Sequence, residues 1–282
     1  MSGSLTTSPL LPSTYSIKME WMMNESQYLH HLVRSNRLEE GRFLIEGSGL
    51  QDEQLRKMGL CSVRGRTHKR NDDYLHIAYG IPFRGESFNL YAVYDGVSIG
   101  RQRIMQGAKA SLKAASAINE FFRDFASLCN DPKELLHSAF DYANNSLEKQ
   151  TNATTAVLAF INPESGVCFA GSVGDSQIVI IREGRVIPAN RPHRHPLRRN
   201  IITRKLGPDS KGRIKEERGD ISVFILLEND IVVLASDGIE DVSAEQMLES
   251  LEATDCLQGF TERLAQLGEP KGDDRTIIAL RI

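Results

Sequence analysis

Core-forming apolar runs in this chain keep ending in aspartate. Leu90–Tyr94 runs into Asp95-Gly96, and Ile231–Ala235 runs into Ser236-Asp237-Gly238. Gly171–Val173 leads into Gly174-Asp175-Ser176. Gly272-Asp273-Asp274 stands just before the last apolar run, and Asn71-Asp72-Asp73 just before an early one. A single Asp-Gly is an ordinary turn signal. Five acidic turns flanking β-prone segments ask for more, because strand ends that converge at one sheet edge gather carboxylates that repel unless cations neutralise them. Hard oxygen ligands at such ends suit Mg²⁺ or Mn²⁺. Two such ions polarise a phosphoryl oxygen and activate water. Gly96, without a side chain, lets its carbonyl approach a metal.

The order of the remaining patterns sets the fold class. Tyr74–Tyr79 and Leu90–Tyr94 are β-prone, with a Gly/Pro turn expected at Gly80–Pro82. A long helix follows from Gln102 to about Leu128, with Ile104, Ala108, Leu112, Ala115, Ile118 and Phe122 on one face. A second runs from Asp131, a plausible N-cap before Pro132, to about Lys149. Strands are expected at 154–161, 166–172, 177–182, 221–227, 231–236 and 276–282, and helices at 244–251 and 261–267. Consecutive hairpin-like strands with separate helices indicate an α+β fold with mostly antiparallel sheets. Residues 1–16 read as a flexible Ser/Thr/Pro-rich tail. Residues 25–45 carry helical spacing in places, and 51–60 a short helix. Residues 1–60 are therefore taken as an extension, whose Trp21 either docks it onto the domain or binds a partner, and residues 61–282 as the main domain.

These motifs, in this order, resemble the PPM/PP2C-type metal-dependent protein phosphatases. Asn71-Asp72-Asp73 is similar to the family's first acidic motif, and Val93–Gly96 to its second. Thr154-Thr155-Ala156, Gly171–Ser176, Thr203–Gly207, Leu234–Val242 and Gly272–Ile277 resemble its later motifs. The resemblance covers roughly residues 61–282. It implies a four-layer α-β-β-α sandwich and hydrolysis of phosphoserine or phosphothreonine on proteins by attack of metal-activated water. Carried onto this chain, it implies that Asp95 bridges two Mn²⁺ or Mg²⁺ ions. Asp237 and Asp273 complete one site, and Asp72 with the Gly96 carbonyl holds the second. Asp175 and Asp241 correspond to a weaker third site, and Asp73 orients the attacking water.

The chain departs from the pattern at four places. His68 stands where the family has a phosphate-gripping Arg, and Val97 where many members have a His. Asp72 replaces a Glu, and Asp274 an Asn. His68 is thus expected in a catalytic and substrate-binding role, with Lys69, Arg70 and Arg204 as further substrate-binding residues. Between Arg191 and Arg218 lie ten Lys or Arg against three acidic residues, a cationic loop suited to phosphorylated or acidic protein segments. No aromatic residues interleave with these charges, which argues against nucleic acid. His193 and His195 lack a further ligand set for zinc.

The formal charge of −3, 40% hydrophobic residues and 25% charged residues fit a globular domain rather than a disordered or nucleic-acid-binding chain. No apolar run reaches the roughly 18 residues of a membrane span. The N-terminal stretch has no basic patch followed by an apolar one, so no secretory signal is expected. Four widely spaced cysteines are expected to be reduced, and a cytoplasmic home follows. Two other readings stay open: a pseudophosphatase or adaptor that keeps the fold, and a hydrolase of a small phosphorylated molecule.

Overall fold

The computed structural model describes residues 43–46, 57–97, 107–147, 152–209 and 213–282. The expected tail, Trp21, the helical pattern over 25–42 and the ends of the two long helices lie outside the described residues. Two sheets form the centre. One holds six strands in the order β1 (Phe43–Glu46), β3 (Tyr74–Phe83), β4 (Glu86–Tyr94), β7 (Ala156–Ile161), β8 (Val167–Val173) and β13 (Asp220–Ile225). The other holds five, in the order β10 (Arg185–Pro188), β9 (Gln177–Arg182), β14 (Ile231–Ala235), β15 (Arg275–Arg281) and β2 (Met58–Val63). Every pairing in these sheets is antiparallel except β1 with β3, and the short separate pair of β5 (Gly96–Val97) with β6 (Ala153–Thr154) is antiparallel too.

Three apolar layers separate four structural ones. Helices α1 (Gly107–Phe125) and α2 (Pro132–Ser146) lay Ile118, Phe122, Leu136 and Phe140 on the six-stranded sheet. Leu75, Ile77, Val93, Ile178, Val232 and Ile278 fill the space between the sheets. Helices α3 (Ala244–Glu252) and α4 (Leu257–Leu267) cover the five-stranded sheet through Met247, Phe260 and Leu264. The alternation explains this: Leu75 and Ile77 of β3 face the other sheet, while Tyr74 and Ala78 face α1 and α2. The fold is the expected four-layer α-β-β-α sandwich.

The helix ends follow local chemistry. Asp131 caps α2 by accepting from the Lys133 N–H at 2.9 Å, with Pro132 at the first helical position. Ser243 and Gln246 form a reciprocal capping box at the start of α3. Helix α4 begins at Leu257, earlier than the expected 261, because Cys256 serves as its cap.

Four expectations are corrected. The turn at Gly80–Pro82 is a bulge inside β3, where Gly80 takes φ 66° and the register shifts between Ala78 and Ile81. The reversal comes at Arg84-Gly85, both at positive φ. Residues 58–60 are strand, not helix: β2 pairs with β15, and the boundary expected at 60/61 falls inside it. Phe43–Glu46, within the supposed extension, pairs with Leu75–Ala78. The basic loop carries a hairpin, β11 (Arg194–His195) with β12 (Arg198–Ile202); the flap below means residues 191–207.

Candidate functional site

Register brings the acidic turns together. In the five-stranded sheet, Ala235 pairs with both Gln177 and Ile277. The segments carrying Asp175, Asp237 and Asp273 therefore leave the sheet at the same end. In the six-stranded sheet Tyr74 pairs with Tyr94 and Ala156 with Val173, which places Asp72-Asp73, Asp95 and Gly174 at one end as well. The turn Gly174–Ser176 carries the chain from one sheet to the other, so Asp175 sits where the two ends meet.

The backbone around Asp95 is fixed by the Thr-Thr segment. The Thr154 hydroxyl and the Thr155 N–H both donate to the Asp95 carbonyl at 2.8 Å. Thr154 also exchanges backbone hydrogen bonds with Leu206, at 3.0 and 2.9 Å, tying in the Thr203–Gly207 segment. The Thr155 hydroxyl lies 2.7 Å from that of Ser176. Gly174 permits this contact: it takes φ 102°, and a Cβ there would lie 2.4 Å from Thr155 Cβ. At Gly107, the first residue of α1, a Cβ would meet the Gly96 carbonyl oxygen at 2.5 Å and Asp72 Oδ2 at 2.7 Å. These two groups therefore converge on the helix start.

Asp95, Asp175 and Asp237 each offer a carboxylate oxygen within 4.8 Å of the others. Burial is the main force raising the Asp95 pKa, helped by the charges of Asp73, Asp237, Asp175 and Asp273. Burial and then Asp237 raise those of Asp175 and Asp273. Asp175 Oδ1 is buried without a hydrogen-bond partner. An acceptor-only oxygen stranded among like charges is a cost that a divalent cation removes, and an all-oxygen donor set is what Mg²⁺ or Mn²⁺ takes. The residues fit such an ion.

Asp274 organises the first acidic motif. It accepts from the Gly65 N–H at 2.7 Å, the Asp72 N–H at 2.7 Å and His68 Nδ1 at 2.8 Å. His68 Nε2 lies 3.4 Å from Asp273 Oδ1. The Asp274 hydrogen bond, with the charges of Asp274, Asp273 and Asp72, raises the His68 pKa to about 9 against the opposing effect of burial. Both ring nitrogens are thus committed to carboxylates. Asp73 is fully buried; burial above all, then Asp274, pushes its pKa up, and its Oδ2 has no hydrogen-bond partner.

Two cations stand against the cluster that the sequence did not single out. Arg194, on the flap hairpin, reaches Asp175 Oδ2 from Nε at 3.1 Å, Asp237 Oδ2 from Nη2 at 3.4 Å, and Glu240 from Nη1. Lys271 Nζ donates to the Asp237 carbonyl at 2.7 Å and lies 2.8 Å from Asp237 Oδ2 and 2.9 Å from Glu240 Oε1. The excess of Lys and Arg over 191–218 was the available signal for Arg194.

Other expected residues fall differently. Asp241 is exposed and is not part of the close carboxylate group; Asp175, expected beside it, joins Asp95 and Asp237. Lys69 and Arg70 are exposed on the loop before β3. Arg204 is held by Glu217 and Asp220, each at 2.6 Å. Asp220 in turn holds His193 Nε2 at 2.9 Å, and Gly174 N–H donates to His193 Nδ1 at 3.0 Å. Arg204 thus fastens the base of the flap. Val97 pairs with Ala153 and offers no proton donor.

A sandwich of this layering, with carboxylates from both sheets gathered at one end, defines the PPM/PP2C class of phosphatase folds. A Streptococcus agalactiae serine/threonine phosphatase superposes with a TM-score of 0.65 at 20% identity, covering 80% of this chain and 98% of that one. The Mycobacterium tuberculosis phosphatase PstP/Ppp does so with a TM-score of 0.63, also at 20% identity, covering 80% and 97%. A catalytic domain of PstP in complex with two manganese ions gives 0.61 at 20% identity, covering 79% and 96%. Within that class the chain belongs to the Stage II sporulation protein E (SpoIIE) family, whose profile matches residues 106–282. Among curated proteins, the 5-azacytidine resistance protein azr1 of Schizosaccharomyces pombe is 26% identical over 178 residues, 60% of this chain and 57% of its own length. The protein phosphatase PTC7 homolog fig of Drosophila persimilis is 26% identical over 181 residues, 63% and 55%. The probable protein phosphatase 2C 10 of Arabidopsis thaliana is 25% identical over 229 residues, 71% and 78%. The chain spans about half the length of the azr1 and fig relatives.

Proposed function

We propose that the chain is a metal-dependent protein phosphatase acting on phosphoserine and phosphothreonine. The observation that carries this reading is the close group of Asp95, Asp175 and Asp237 oxygens, drawn from both sheets, with one oxygen buried and unpartnered. Asp95, Asp237, Asp273 and Asp175 would hold one Mn²⁺ or Mg²⁺ ion or share it with a second, and Asp72 with the Gly96 carbonyl would hold the other. When bound, these ions supply Lewis acidity toward the phosphoryl oxygens and acidify water. Asp175 lies in the close group with Asp95 and Asp237, and Asp175 with Asp241 would be the residues for a weaker third ion.

The chain's own groups do the rest. The ester P–O bond is split by water, giving orthophosphate and the free hydroxyl of the substrate residue. Asp73 has the burial and the open Oδ2 to take the proton that water gives up. His68 holds Asp273 and Asp274 in place. The basic flap attracts phosphorylated, acidic segments of a protein substrate. Among the described residues no helix is long and apolar enough to cross a membrane. The four free cysteines suit a reducing, cytoplasmic compartment.

The test is turnover by the purified full chain with Mn²⁺ or Mg²⁺, on p-nitrophenyl phosphate and on a phosphothreonine peptide. Both activities are expected, both abolished by EDTA, and Asp237→Asn is expected to lower them by about 100-fold or more. Absence of turnover with any divalent cation overturns the proposal. Turnover of p-nitrophenyl phosphate but of no phosphoprotein moves the substrate to a small phosphorylated molecule.

A further inference from the structure

If the site works as proposed, something must grip the substrate phosphate, and His68 is poorly placed to do so. Both of its ring nitrogens face carboxylates, Asp274 at 2.8 Å and Asp273 at 3.4 Å. Arg64 donates to the Lys69 carbonyl at 3.2 Å, and Arg66 to the Glu269 carbonyl at 3.3 Å. Arg204 is clasped by Glu217 and Asp220. Arg194 differs from all of these. It too is held by carboxylates, Asp175, Asp237 and Glu240, and its side chain is only 17% exposed, but two of those three belong to the close group that would take a cation.

Its position is held from below. The neighbouring His193 donates its backbone N–H to the Gly174 carbonyl at 2.8 Å and accepts from the Gly174 N–H through Nδ1 at 3.0 Å. The His193 carbonyl accepts from the Thr203 N–H at 2.8 Å, and its Nε2 is fixed by Asp220. The flap base is thereby bolted to the turn that carries Asp175. Arg194 extends from that base on the first residue of β11, where the hairpin register shifts.

We propose that Arg194 is the residue that grips the substrate phosphoryl group, in place of His68. Until divalent cations enter, its guanidinium serves as counter-charge to Asp175 and Asp237. The physical case is an exchange of partners. Cations bound by the carboxylates compete with the guanidinium for the same oxygens and cancel the charge that holds it. Released from Asp175 and Asp237 and still tethered by Glu240 through Nη1, the guanidinium then offers Nε and Nη2 to a phosphate dianion, which arginine binds in bidentate fashion better than any other side chain does. Lys271 reaches the other side of Asp237, as a point charge without that fork.

The inference rests on the proposed phosphatase reading, and its test separates the two. Wild type, Arg194→Gln and Arg194→Lys would be titrated by calorimetry, first with Mn²⁺ alone and then, Mn²⁺-loaded, with inorganic phosphate. KM and kcat would be measured on p-nitrophenyl phosphate. Arg194→Gln should bind Mn²⁺ at least as tightly as wild type, which also shows that it is folded. It should bind phosphate about tenfold or more weakly and raise KM by a similar factor, with kcat less affected; Arg194→Lys should recover part of the loss. If wild type is active and Arg194→Gln binds phosphate as wild type does, Arg194 is a counter-charge only and the inference falls alone. If Arg194→Gln binds Mn²⁺ much more weakly, the exchange of partners is wrong. If wild type neither turns over nor binds phosphate, the phosphatase reading falls and takes this one with it.

Discussion

At the scale of single residues, two departures from the PPM/PP2C pattern turn out to be partners. His68 replaces an Arg and Asp274 replaces an Asn, and the two hydrogen-bond to each other at 2.8 Å. A histidine beside an Asn would gain no ion pair; beside a buried carboxylate it becomes a cation. Asp274 also receives two backbone N–H groups, from Gly65 and Asp72. Asp274→Ala strands all three donors, so a loss of about 3–5 kcal/mol is expected. Asp274→Asn keeps one acceptor oxygen and should cost less, about 1–2 kcal/mol. Urea unfolding midpoints check both, and an Asp274→Ala variant within 0.5 of a kilocalorie or so of wild type would contradict the account. The sequence exposed the acidic residues well, because each flanks an apolar run. It did not expose the roles of Asp274 and Arg194, whose partners lie far off in sequence: Gly65, His68 and Asp72 for the first, and Asp175, Asp237 and Glu240 for the second.

At the scale of elements, strands with plain alternation were legible and those without it were not. β2 is buried at five of its six positions, so its sequence, MGLCSV, carries no period of two. The bulge in β3 disguised a ten-residue strand as a strand and a turn. The packing of β3 on α1 also has a pH signature. His76 is fully buried and donates from Nε2 to Asn119 Oδ1 at 3.2 Å, while its Nδ1 is left without a partner. Burial lowers its pKa from 6.5 to about 4, against the small opposing effect of that hydrogen bond. The folded state therefore takes up the proton less readily than the unfolded one. The stability this represents is complete above pH 6.5 and is lost as pH falls toward 4, by about 3 kcal/mol in all. His76→Gln, which keeps a donor and cannot titrate in that range, should flatten the acid limb of a plot of melting temperature against pH. An unchanged limb would assign the acid loss to other groups.

At the scale of the whole molecule, the layering was legible because two pairs of helices and two runs of strands leave few ways to bury every apolar face. The joining of residues 43–46 to the six-stranded sheet was not, since a four-residue parallel strand has no signal of its own. A cation held by Asp95, Asp175 and Asp237 would be bound by both sheets at once, and only in the folded state. Mn²⁺ at about 100 times its dissociation constant should therefore add about 2.7 kcal/mol of stability. Melting curves should shift upward with Mn²⁺, return with EDTA, and show a much smaller shift in Asp237→Asn. An unmoved wild-type curve would count against cation binding at this group.

The crossing turn at Gly174–Ser176 gives that coupling a direction. Asp175 rides on the strap by which the chain leaves one sheet for the other, between Asp95 on the first and Asp237 on the second. Any slide of one sheet over its neighbour alters the spacing of all three oxygens together. The affinity of a cation held there would therefore be a gauge of shear across the midplane of the molecule, and whatever loosens the sandwich, heat or pressure included, should register first as a weaker grip on the ion.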